Sequence, residues 1–169
     1  MAELQTPGDF TAVDYSRSMN RKPYSYDRRY STRYTFVSKG HRGAISKVVQ
    51  FTPTSTDGIV NLSFGDLRSD GTIDDLANTN NHDIIKVMAT IIEIVYDFTC
   101  ENPHVKIVFT GNNQARTSLY FRILKTYQPE FSKTHIISAL VKQGAEFAEV
   151  LFEPSAPHKY LAFFVKRKL

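Results

Sequence analysis

The sequence predicts an α+β domain in which two helices lie on a mainly antiparallel sheet, in the order β-β-β-α-β-α-β-β-β. Three observations predict it. Between Ile84 and Phe98 apolar residues recur at three- and four-residue steps, the period of a helix. On either side, short runs rich in β-branched and aromatic residues are separated by Gly and Pro breaks, as strands are. The chain has 169 residues, 41% of them hydrophobic, enough for one sizeable core but not for two comfortable domains.

Taken in order, residues 1–29 show no sustained periodicity and contain Pro7-Gly8 and Pro23. They are expected to be a flexible basic and aromatic N-terminal arm, with residues 30–169 as the single domain. Tyr34–Val37 reads as a strand, Lys39–Gly43 as a turn and Ala44–Thr52 as a second strand, together a hairpin. After the Pro53–Gly58 turn, Ile59–Phe64 alternates as a third strand and stops at Gly65-Asp66, giving three antiparallel strands in a row.

The helix that follows starts near Asn81. Ile84, Met88, Ile91, Val95 and Phe98 form its apolar stripe, widened by Ile85, Val87, Ile92 and Ile94. Each such side chain contributes roughly 1.5–3 kcal/mol on burial. Asn80 or Asn81 is the expected cap, and Asp83 falls in the first turn, where the helix dipole favours a negative charge. Val105–Phe109 then reads as an internal strand, and Thr110–Asn113 turns it into a second helix running to about Tyr127. Ala115, Leu119, Ile123 and Tyr127 are expected on its buried side, with Arg122 and Lys125 in solvent. Thr134–Val141, Phe147–Phe152 and Tyr160–Val165 are the last strands, broken at Gly144 and at Pro154–Pro157.

No secretory signal pattern opens the chain, and no run approaches the roughly 20 apolar residues of a membrane span. The expectation is a soluble, cytoplasmic protein without membrane contact. The single Cys100 has no intramolecular partner and reads as a core or boundary thiol.

The net charge of +4 is unevenly distributed. Between Tyr15 and Tyr34 stand six basic residues, Arg17, Arg21, Lys22, Arg28, Arg29 and Arg33, against the single Asp27. Tyrosines interleave with them, a pattern in which cations take phosphates and rings stack on bases. The same segment also reads as a solvated arm whose Tyr24, Tyr26, Tyr30 and Tyr34 follow a sheet edge. A second basic cluster, Lys166-Arg167-Lys168, reads as a solubility feature. Residues 57–83, by contrast, hold six aspartates and one arginine.

Chemistry concentrates at predicted strand ends and helix starts. The Thr110–Gln114 connection is a geometry in which free backbone N–H groups and the helix dipole hold an anion, with Asn112, Asn113 and Thr117 at its rim. Arg116 lies in the first helical turn, where the dipole disfavours a cation by about 0.3–1 kcal/mol, so it calls for a compensating anion. That anion is either a carboxylate, Asp66 or Asp83, in a polar pocket with His82, or a phosphate of a ligand. Asp66, Asp74, Asp75 and Asp83 also permit a Mg²⁺ reading with His82 as base, although their spacing matches neither an EF-hand nor a defensible nuclease signature. There is no P-loop and no nucleophile elbow. His41, His104, His135 and His158 read as surface or boundary histidines, and no resident metal or cofactor is expected.

The segments Tyr34-Thr-Phe-Val-Ser-Lys-Gly-His-Arg-Gly43, Asn61-Leu-Ser-Phe-Gly-Asp66, Asp74-Asp75, Asn80-Asn-His-Asp83 and Thr110-Gly-Asn-Asn-Gln-Ala-Arg-Thr-Ser-Leu-Tyr120 give a resemblance over about residues 30–168. The chain resembles a family of small uncharacterised bacterial proteins classed as a domain of unknown function, and the resemblance implies no activity. Three functional readings follow from the residues. The first is a protein that binds phosphate groups of nucleic acid or a nucleotide through Arg28, Arg29, Arg33 and the Arg116 helix start. The second is a metal-dependent phosphodiesterase or nuclease-like enzyme. The third is a partner-binding component of a toxin–antitoxin or phage-defence operon.

Overall fold

The computed structural model describes residues 22–75, 81–110 and 113–169. Their elements are β1 (Tyr26–Arg29), β2 (Arg33–Gly40), β3 (Gly43–Pro53), β4 (Ile59–Leu67), β5 (Ile73–Asp74), α1 (Ile84–Glu101), β6 (Lys106–Phe109), α2 (Gln114–Phe131), β7 (His135–Gln143), β8 (Glu146–Leu151) and β9 (Tyr160–Arg167). All the strands join one sheet in the order β1-β2-β3-β4-β6-β9-β7-β8, with β5 on β4. The expected α+β order holds, with two short strands added. Every pairing is antiparallel except β4 with β6, which run parallel. That pair needs a crossover, and α1 supplies it.

The β2–β3 hairpin turns through His41-Arg42, with Gly43 at φ 90°, a conformation that costs a side-chain-bearing residue strain. β1 begins before the expected boundary at Tyr30. Its sequence, Tyr-Asp-Arg-Arg, is too polar to announce a strand, because it is an edge whose partners are charged. Tyr26 donates its hydroxyl to Asp97, and Arg28 forks onto Glu101, so that the edge is fastened to α1. The other arm residues Tyr15, Arg17 and Arg21 lie outside the described residues, as do Asn80 and Asn112.

Register sorts the sheet into two faces. Phe36, Phe51, Leu62, Ile107, Phe163 and Val165 share one face and form the core with both helices. Phe51 stacks on Phe98 of α1 with ring centroids 3.7 Å apart. The α1 stripe is buried as its period requires, except that Ile84 and Ile85 at its start are exposed.

α2 extends past Tyr127 to Phe131, and its buried side is rotated from the expected one. Arg116, Tyr120, Ile123, Leu124 and Phe131 face inward, while Ala115 is exposed. Cys100, expected in the core or at its boundary, is exposed, since it falls on the narrow polar side of α1. His135, expected near the surface, is buried, because it shares the helix face with Ile137 and Ala139. No helix among the described residues is long and apolar enough to cross a membrane.

Candidate functional site

The strand directions bring the sequence-predicted groups to one end of the sheet. The β2–β3 turn, the end of β4, β5 and the starts of both helices all lie there. At that end two close approaches fix the backbone. A Cβ on Gly65 would collide with the Asp74 carbonyl, and one on Gly40 with the Asn81 carbonyl, so both positions require glycine.

Arg116 is built into this end. The Asn113 side chain caps α2 by accepting from the Arg116 N–H at 2.9 Å, which sets the helix start so that Arg116 occupies the first inward position. Its guanidinium donates to the Asp75 carbonyl from Nε (3.2 Å) and Nη2 (2.9 Å) and lies 5.0 Å from the Phe64 ring centroid. One turn on, Tyr120 meets Phe109 edge-on, and burial pushes its hydroxyl pKa up to about 12, against the nearby Arg116 charge. The sequence reading called for an anion at Arg116, either the Asp66 or Asp83 carboxylate or a ligand phosphate. The structure shows the guanidinium donating to the neutral backbone carbonyl of Asp75.

Asp66 and Asp83 take other partners. Asp66 pairs with Lys47, a lysine only 5% exposed whose Nζ also lies over Phe64. Asp83 accepts from the Tyr24 hydroxyl (2.6 Å) and the Ser38 hydroxyl (2.5 Å), and burial, then the Asp83 bond, raises the Tyr24 pKa. Asp83 is the N-cap of α1 by position, without a side-chain capping bond. Asn81, expected as the cap, is buried and bolts the hairpin: it accepts from Arg42 N–H (2.7 Å) and donates to Ser38 Oγ and the Gly43 carbonyl, each at 3.0 Å. His82, at φ 58°, stacks on His41 with centroids 3.9 Å apart. The single expected pocket therefore divides into an Arg116–Asp75 cluster with Lys47–Asp66 beside it, and an Asp83–Asn81–His82 cluster.

Of the carboxylates proposed for Mg²⁺, Asp66 and Asp74 are opposite each other on β4 and β5, with Asp66 paired to Lys47 and Asp74 facing Arg68 at 3.4 Å, while Asp83 bonds Tyr24 and Ser38. Among the described residues no group of three His, Cys, Asp or Glu side chains is placed to hold a metal ion. The arm arginines are also placed: Arg28 on Glu101, Arg33 on Gln50 Oε1 (2.8 Å) and the Gly71 carbonyl (3.0 Å), and Arg29 exposed. Tyr24, Tyr26 and Tyr34 pack along the sheet edge, and Tyr30 is 88% exposed.

A different feature combines cations, hydroxyls and rings in one recess. A cleft of about 470 Å³ opens between the outer side of α2 and the segment 154–160. Thr117 and Ser118 stand at its helix wall, Phe121, Tyr160 and Phe163 form its apolar floor, and Arg122 and Lys159 flank it. Phe121 lies 5.4 Å from Tyr160 and 6.4 Å from Phe163, centroid to centroid, so the floor is a packed aromatic cluster. Tyr160 is held by donating to the Glu153 carbonyl at 2.7 Å. Among the described residues neither Arg122 nor Lys159 forms an ion pair and no carboxylate lines the cleft. Of the sequence-predicted residues that are described, only Thr117 lines it. Arg122 was readable as solvent-facing, but nothing in the sequence couples it to Lys159, since the two meet only when β9 closes against α2.

Chemically, the cleft can hold an anionic group at its two cations while a planar or apolar body rests on the rings. No curated protein and no solved structure matches the chain. Over residues 20–168 the sequence matches the model of a family of unknown function, DUF6934, and the chain belongs to that family.

Proposed function

We propose that the protein binds a nucleotide, free or at the end of a nucleic-acid strand, in the cleft between α2 and residues 154–160. The observation that carries this reading is the pairing of two cations that lack carboxylate partners among the described residues, Arg122 and Lys159, with a floor of aromatic rings in one recess. A phosphate satisfies the cations with charge-assisted hydrogen bonds, each contributing about 1.5–3 kcal/mol. A base stacked on an aromatic ring adds about 1–3 kcal/mol. The cleft volume of about 470 Å³ falls in the usual range for small-molecule sites. Thr117 and Ser118 supply hydroxyls for a ribose or a phosphate oxygen. Arg116 is not a ligand residue in this reading, because its guanidinium is buried against Asp75 and does not line the cleft.

Calorimetric titration with nucleoside mono- and diphosphates and with inorganic phosphate tests the proposal. Binding of a nucleotide should exceed that of phosphate, and the pair Arg122→Ala with Lys159→Ala should weaken it at least tenfold while the fold melts unchanged. Absence of nucleotide binding at millimolar concentration, or affinity indifferent to both substitutions, overturns it.

A further inference from the structure

The sheet face opposite the helices has a character of its own. Register assigns it Arg29, Arg33, Lys39, Lys106, Lys142 and Lys166, against only Asp27 and Glu149. Glu149 is consumed by Lys106 at 2.6 Å, which together with the Ser138 hydroxyl holds its pKa low. Arg33 is bound only to neutral oxygens, and Arg29, Lys39, Lys142 and Lys166 make no ion pair among the described residues. Of the basic residues in the N-terminal segment Arg29 and Arg33 lie on this face, where lysines of β2, β6, β7 and β9 join them.

Aromatic and apolar groups interleave with these cations. Phe147 is 64% exposed directly across from Lys142, and Phe164 lies half-buried with Lys106 Nζ 4.5 Å from its ring centroid. Leu151 is 69% exposed beside them. At the other end of the face a hollow of about 430 Å³ is lined by Arg29, Thr35, Val37, Lys39 and Ser46 among others. With strands about 4.8 Å apart, the eight strands of the main path span about 34 Å.

We propose that this face binds single-stranded nucleic acid. Cations at both ends of the face match the phosphates of a strand that crosses it, and the rings of Phe147 and Phe164 at its β8–β9 end match bases that are not hidden in a duplex. An acidic protein partner would satisfy the lysines but not the ring faces. The face is separate from the cleft, which opens on the helix side, so it stands independently of the nucleotide reading.

Fluorescence anisotropy of the full chain with labelled single-stranded and duplex oligonucleotides, at several salt concentrations, tests the proposal. The single strand should bind more tightly, with log affinity falling against log salt by about 0.7 for each phosphate neutralised. Lys142→Ala with Lys166→Ala should lower that slope by about 1.4. Phe147→Ala should weaken binding about fivefold or more, with the circular dichroism spectrum intact. Lys142→Ala with Lys166→Ala should leave mononucleotide affinity unchanged, because neither lysine lines the cleft. The proposal is overturned by duplex bound equally well, by no binding at low salt, or by sedimentation showing a dimer that Phe147→Ala and Leu151→Ala dissolve, which makes the face an interface between copies.

Discussion

Arg116 and Asp75 are joined through a backbone carbonyl: two N–H groups of one guanidinium converge on a single peptide oxygen, across 41 positions of sequence. The arginine thereby ties the start of α2 to the residue that follows β5. A lysine carries the charge but cannot present two donors in a fixed fork. Arg116→Lys is expected to lower stability by about 1–3 kcal/mol in urea unfolding, the range for losing hydrogen bonds of a charged donor, and Arg116→Ala by more. Nucleotide affinity of the folded variant should be unchanged.

Asn81 is expected to be a comparable fastening point at the other cluster. Its replacement by alanine leaves the Arg42 N–H and the Gly43 carbonyl without their partner, at a cost of about 2–3 kcal/mol. Gly40→Ala should be similarly harmful, because its Cβ would fall on the Asn81 carbonyl. Thermal melts measure both, and faster amide exchange at Arg42 distinguishes the loss of this bolt from a general loosening.

Tyr34 and Tyr26 make a contrasting pair. The Tyr34 hydroxyl is buried without a hydrogen-bond partner among the described residues, whereas Tyr26 donates to Asp97. Tyr34→Phe is therefore expected to be neutral or to stabilise by up to about 1 kcal/mol, and Tyr26→Phe to cost about 0.5–1.5 kcal/mol. Denaturant midpoints of the two variants should move in different directions, and equal losses would show that the Tyr34 hydroxyl is satisfied.

His135 predicts a pH dependence. Burial first, then the Arg167 charge, lowers its pKa to about 4, from an unfolded value of about 6.5. The folded state thus holds the ring neutral where the unfolded chain takes up a proton. Stability is complete above the unfolded value, declines as pH falls from about 6.5 toward 4, and loses nothing further from this group below that. Thr99 and Thr134 meet the two ring nitrogens at 2.8 Å each, and Phe131 stacks on the ring. Urea midpoints at neutral and mildly acid pH should separate more for the parent than for His135→Phe, even though that variant starts from lower stability. A parent protein equally stable across the window would contradict the burial of a neutral imidazole.

The legible parts of this fold are those written in periodicity. α1 and the β2–β3–β4 meander follow from apolar spacing that tertiary contacts reinforce. β1 and β5 were not legible, since one is a polar edge and the other two residues long, and neither has a pattern of its own. The buried side of α2 was misplaced because Arg116 holds an inward position that an apolar count skips. Parity offered a signal for His135, which alternates in step with Ile137, Ala139 and Val141. The Arg116 cluster was partly legible through the conflict between a cation and a helix start. The cleft was not, because its cations and rings come from α2 and from Lys159 with β9, which only tertiary closure brings together.

β6 has consequences for the order of assembly. It is a four-residue strand, yet along the main path it alone connects the β1–β4 meander to the β9-β7-β8 group. Each of those halves pairs strands close in sequence, so each can close cheaply and early. The β4–β6 and β6–β9 ladders close long loops and are expected to form last. Ile107→Val should then speed unfolding while leaving the refolding rate almost unchanged. The weakest moment in the life of this sheet is the insertion of its middle strand.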